Sequence, residues 1–156
     1  MGWVNWAIVG AALLHVAEEY YIPGGFMDFM RRFNPRFALH ITTSFAVIFN
    51  GLFILLCILG AAFREMSPVF SLSVAGLLGF NALMHIGAAI RMRGYAPGLI
   101  SSLLLYLPIS ITSYTISIGS GVVTTPQAVS SFLLGGIYNA LPIASLALLS
   151  RHKTSM

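Results

Sequence analysis

The chain has 156 residues, of which 58% are hydrophobic and only 8% charged; soluble domains run at roughly 45–50% and about 25%. Eight basic plus four acidic residues make twelve charges, too few to cover even a small globular surface. An ordinary soluble enzyme, a disordered chain and a nucleic-acid binder are therefore excluded, despite a net charge of +4. The single cysteine, Cys57, permits no intrachain disulfide. What remains is a polytopic membrane protein whose first partner is the lipid bilayer.

Five stretches reach the about 20 apolar residues that a helical crossing needs. They run over about 3–22, 37–63, 68–90, 97–118 and 126–150, and predict a single all-α domain over 1–156, a transmembrane bundle of five helices. The first has no basic leader and runs into charged residues rather than a small-residue cleavage site, so it is not a removable signal peptide. After the turn at Pro23-Gly24-Gly25, the stretch from Phe26 to Phe33 mixes aromatics with cations and predicts a short helix at the membrane interface. Asn34-Pro35, Ser67-Pro68, Gly94 to Gly98 and Gly119 to Pro126 mark the later breaks. Pro68, Pro97 and Pro126 sit near helix starts, where the missing N–H is harmless. Pro108 and Pro142 fall inside segments four and five and predict kinks.

Orientation follows from the cations. Arg31, Arg32, Arg36, Arg91, Arg93, Arg151 and Lys153 fall on one side and Arg64 alone on the other. The bias predicts an outside N-terminus and a cytoplasmic C-terminus.

The residues a membrane helix should avoid carry the functional information. Segment one contains His15-Val16-Ala17-Glu18-Glu19. A carboxylate at the centre of a spanning helix costs about 2.5–3.5 kcal/mol on insertion scales, less near its ends. Two adjacent ones need a cation, a proton or a metal. Helical spacing sets His15 beside both, at i+3 and i+4. Segment two begins with His40 and carries Asn50; segment three carries Asn81 and His85, an i, i+4 pair. At about 1.5 Å of rise per residue, Glu18, Glu19 and His40 lie about one turn from the cytoplasmic end, and His15 and His85 roughly two. His152 belongs to the tail and is set aside.

Three imidazoles and two carboxylates converging on one layer suit a single divalent metal, with zinc the leading candidate. His15, His40 and His85 would be ligands, with Glu18 or Glu19 as the carboxylate and the other as general base. The metal would lower the pKa of a bound water toward 7. Asn50 and Asn81 would orient ligands or substrate, with interhelical hydrogen bonding as the stronger reading for both and for Asn139. One of the two glutamates could instead pair with Arg91 or an arginine of the first loop. Larger centres run out of ligands, because a di-iron site takes four carboxylates and two histidines.

The motif resembles the HXXEE-domain family of small bacterial integral membrane proteins. The resemblance rests on His15-Val16-Ala17-Glu18-Glu19, then His40 and Asn50, Asn81-Ala82-Leu83-Met84-His85, and Tyr95-Ala96-Pro97-Gly98. It covers segments one to four and implies a membrane-embedded enzyme of the bacterial inner membrane, without naming a reaction. At Tyr95-x-Pro-Gly, Pro97 would start helix four and Gly98 would leave backbone N–H groups open to an anion. Arg91 and Arg93 flank that spot, so a substrate's acidic headgroup would sit there. Ser101, Ser102 and Tyr106 would line the cavity or bond to neighbouring helices.

These expectations sum to a metal-dependent membrane enzyme acting on a lipophilic substrate by hydrolysis or a related water-dependent step. A metal-free isomerase or cyclase of an isoprenoid- or sterol-like substrate is the alternative. A haem-binding subunit with two axial histidines and a proton-coupled transporter complete the set. Homo-oligomerisation is left open.

Overall fold

A computed structural model of the chain describes residues 2–21, 25–38 and 40–152. Ile22, Pro23 and Gly24 of the first expected turn, and Lys153 of the basic tail, lie outside the described residues. Among the described residues every element is a helix. In chain order they are α1 (Gly2–Tyr21), α2 (Phe26–Phe33), α3 (Pro35–Ala38), α4 (Thr43–Ala62), α5 (Pro68–Met92), α6 (Leu99–Gly119) and α7 (Thr125–His152).

Four of these are long and apolar enough to cross a membrane: α4, α5, α6 and residues Thr125–Ser150 of α7. Among the described residues, four of the five expected spans meet this measure. Helix α1 has the length, at 20 residues, but Asn5, His15, Glu18 and Glu19 dilute its apolar run. The same residues that make it interesting remove it from the set.

Helix α4 begins later than expected. Thr42 has extended backbone angles, and its Oγ1 accepts a hydrogen bond from the backbone N–H of Phe45 at 3.1 Å, a capping geometry that starts a helix at the following residue. Phe37 belongs to α3, and His40 falls in the turn between α3 and α4 rather than on a spanning helix. Helix α5 starts on Pro68. It closes with Arg93 in the left-handed region and the Gly94 N–H returning to the Ala89 carbonyl, which satisfies carbonyls that a helix end would leave bare.

Helix α5 is the axis of the bundle, with more than half of its spanning window buried. Against α7 it meets backbone to backbone. A Cβ on Gly135 would run into the backbone of Gly76 and Leu77, and one on Gly76 would lie 3.2 Å from Phe132 Cα. Small residues at such a crossing let dispersion contacts replace the hydrophobic drive that lipid removes. Asn139 Nδ2 adds an interhelical bond to the Leu77 carbonyl at 2.8 Å. On the other side of α5, Ile8, Ala11 and Ala12 of α1 share a core with Cys57, Leu78, Ala82 and Tyr106. The outer surface shows Leu13, Leu14, Val47, Ile48, Leu104, Leu133, Ile137 and Leu141. Such a surface would aggregate in water and suits lipid.

Helix α2 has the amphipathic character expected of it. Phe29 is buried and stacks on Phe33, while Arg31 and Arg32 are exposed and Arg31 pairs with Asp28 at 2.8 Å. The guanidinium of Arg91, at the end of α5, lies 4.9 Å from the Phe33 ring centroid.

Candidate metal centre

Three donors converge where α1, α5 and the start of α6 meet. His15, Glu19 and His85 place one ligand atom each within 4.8 Å of one another. Glu19 Oε1 stands between the two rings, 3.6 Å from His15 Nε2 and 3.6 Å from His85 Nε2. His15 and Glu19 are buried and His85 nearly so. A gap of 3.6 Å exceeds hydrogen-bond length. It approaches the about 3.4 Å edge of a tetrahedron whose donors lie about 2.0–2.2 Å from an ion.

The outer nitrogens are already committed. His15 Nδ1 lies 2.9 Å from Ser101 Oγ, and that hydroxyl donates to the Gly98 carbonyl at 3.2 Å. This contact holds the His15 ring from one side, with Nε2 on the other side toward Glu19. The His85 imidazole has the backbone of Pro97 as its hydrogen-bond partner. Fixing one ring nitrogen this way orients the other for a metal.

The loop before α6 seals the site. Gly98 has φ +87°, and a Cβ there would lie 2.5 Å from His15 Cε1 and 2.8 Å from His85 Cε1. Only a residue without a side chain lets the backbone cross over both rings. Glu18 holds that loop down. Its Oε1 accepts from the Tyr95 hydroxyl at 2.5 Å and from Ile100 N–H at 3.0 Å, and its Oε2 accepts from Ser101 N–H at 2.7 Å. These N–H groups open α6 and have no partner within their own helix. The helix start expected to hold a substrate's acidic headgroup is instead occupied by a carboxylate of α1. Burial, and then the neighbouring Glu18, raise the phenol of Tyr95 above its ordinary range, so it remains a donor.

Behind His15, α6 widens into a π turn over Ser102–Tyr106. Pro108 follows, and in a regular helix its ring would press on the carbonyl four residues back; a π turn relieves such crowding. Tyr106, wholly buried, stacks on His15 with ring centroids 4.4 Å apart. Its hydroxyl and that of Ser102 have no hydrogen-bond partner, a cost of about 1–3 kcal/mol each.

The remaining expected site residues lie elsewhere. Among the described residues the donor group comprises His15, Glu19 and His85; the late start of α4 leaves His40 outside it. Asn50 Nδ2 bonds to the Tyr20 hydroxyl at 3.3 Å, which ties α4 to α1. Asn81 reaches Asn139 of α7 at 3.5 Å, and Arg91 lies over Phe33. His15 and His85 meet edge to face with centroids 4.8 Å apart, which leaves no room for a haem between them. Two clefts, of about 380 and 490 Å³, lie at Asn5, Arg64 and Ser71 and along α5, α6 and α7. Neither is lined by the donor group. Ser101, Ser102 and Tyr106 were legible only as hydroxyl-bearing residues of segment four; nothing in their spacing distinguishes the one that holds His15.

A family model described as a protein of unknown function with HXXEE motif matches residues 6–113. The chain belongs to this family. The match takes in all of the centre: the HXXEE residues His15 to Glu19, His85, and the loop from Tyr95 to Tyr106. It stops short of α7, which braces α5 and contributes no donor to the group. Comparison with curated proteins and with solved structures gave no match.

Proposed function

We propose that the protein is a membrane-embedded enzyme built on one divalent metal ion, with His15, Glu19 and His85 as its ligands. One observation carries the reading: a buried carboxylate oxygen 3.6 Å from two imidazole nitrogens whose rings are fixed from behind. Zinc is the ion whose donor preferences match two histidines and one glutamate with a fourth position left open. Such an ion would supply Lewis acidity and an activated water for hydrolysis or a related step. The surrounding helices suit a lipophilic substrate.

The two glutamates divide the work. Glu19 is the ligand. Glu18, with both oxygens engaged at the start of α6, positions the loop that carries Ser101 and Gly98.

We also propose that α1 is a fifth span, with the N-terminus outside and the C-terminus cytoplasmic in the inner membrane of a bacterium. The cations at one end of the bundle support it: Arg31, Arg32, Arg36, Arg91 and Arg93 against Arg64 at the other. Terminal reporter fusions active only in the cytoplasm would test it, with signal expected from the C-terminal fusion alone.

Elemental analysis of protein purified in detergent tests the centre. The expected result is about one equivalent of metal in the wild type and less than a tenth in Glu19→Gln and His85→Ala. A wild type that takes up less than a tenth of an equivalent of zinc, cobalt or manganese would refute the metal reading.

A further inference from the structure

The two hydroxyls of the π turn are shut off from solvent without a partner, where several other buried hydroxyls have one. Ser71 donates to Asn5, Ser73 to the Phe70 carbonyl, Ser101 to Gly98, Ser113 to Ile109 and Ser131 to Ala128. Tyr114 pairs with Ser131, and Tyr95 donates to Glu18. The hydroxyls of Ser102 and Tyr106 are wholly buried and have no hydrogen-bond partner.

Local geometry explains why Ser102 keeps its proton free. A helical serine commonly donates to the carbonyl four residues back, here that of Gly98. That oxygen already accepts the Ser102 N–H at 3.0 Å and the Ser101 hydroxyl at 3.2 Å, so both of its lone pairs are taken. Tyr106 lies four residues on, at the other end of the same π turn. Its ring is stacked on His15, and Phe53 meets it edge-on with centroids 6.2 Å apart. Two unpartnered hydroxyls thus lie four residues apart on one π turn, and the ring that bears the second packs on the face of His15.

We propose that Ser102 and Tyr106 form an oxygen-binding subsite beside the centre, which takes the carbonyl oxygen of a lipophilic ester or amide. The proposal deepens the function given above and rests on that reading for its catalytic meaning, but not for its binding. Neutral hydroxyls in a dry setting suit a carbonyl oxygen and the negative charge it gains on attack. A phosphate would call for cations, and Arg91 is turned to the ring of Phe33. π turns recur at functional sites because they turn helical side chains out of register.

The test uses the full chain in nanodiscs and octanamide, a carbonyl on an apolar tail, titrated calorimetrically against empty nanodiscs. No metal is needed, and a parallel sample is loaded with Co2+. Wild type should show saturable binding; Tyr106→Phe should weaken it about tenfold and Ser102→Ala several-fold, with Co2+ uptake unchanged in both. Tyr106→Phe keeps the ring and its stacking, so loss through misfolding is not expected, and unchanged Co2+ uptake checks it. Equal octanamide affinity in wild type and both variants, or no saturable binding to wild type, overturns the subsite. Octanamide binding that depends on Tyr106 in a protein that takes up no Co2+ supports the subsite and removes the metal from the function proposed above.

Discussion

Gly98→Ala offers the sharpest test of the centre, because it adds one carbon where the loop crosses both imidazoles. Two costs follow. The left-handed backbone at φ +87° penalises an L-residue by about 1–2 kcal/mol. The new methyl, 2.5 Å from His15 Cε1 and 2.8 Å from His85 Cε1, forces both rings off their rotamers. At about 0.5–1.5 kcal/mol per ring, the total comes to about 2–5 kcal/mol. Gly121 separates the two, since it has φ +72° with nothing within 4 Å of an added Cβ. Gly121→Ala should lose only the backbone term and bind metal like the wild type. Gly98→Ala should unfold at a lower temperature still, and its metal affinity should fall about 10–100-fold, the range seen when a ligand's orientation is disturbed. Thermal unfolding in detergent and zinc competition against a chromogenic chelator measure both. Wild-type zinc affinity in Gly98→Ala would refute the geometry that places Gly98 over the two rings.

Glu18→Gln replaces one accepting oxygen with an amide and breaks at least one bond to the start of α6. Stability should fall by about 2–3 kcal/mol, with metal retained at reduced affinity; complete loss of metal would show Glu18 to be a ligand. His40→Ala should leave metal stoichiometry at the wild-type value, and a halved content would return His40 to the ligand set. Gly135→Ala drives a methyl into the backbone of α5 and should cost about 1–3 kcal/mol. Gly51→Ala, with nothing within 4 Å of its added Cβ, should cost nothing. Equal melting temperatures for the pair would disprove the tight crossing of α5 and α7.

Much of the bundle could be read from apolar runs and prolines, because a span must be long and a break needs turn chemistry. The centre was legible only in part. Spacing put His15 beside both glutamates, but neighbouring residues on a helix diverge by about 100°. That rotation sends Glu19 to the histidines and Glu18 to α6. Sequence alone does not fix the sense of that rotation relative to α5. His40 was counted along a helix that starts only at Thr43, since one threonine cap outweighs a hydrophobic pattern that continues upstream of it. The physics of helix termini pointed to an anion at the start of α6, but the sequence reading put a substrate headgroup there, and the carboxylate that fills it comes from a segment more than 80 residues earlier.

That distance has a consequence for biogenesis. The cap of α6 is separated from its helix by 82 residues of chain, with α4 and α5 inserted in between. Glu18 is therefore made well before the amides it accepts from. During synthesis Glu18 lacks these partners until the start of α6 is made, whereas Glu19 has His15 on its own helix and then His85 on α5. The group of His15, Glu19 and His85 is thus covered only once the first six helices exist, with α7 still to be made.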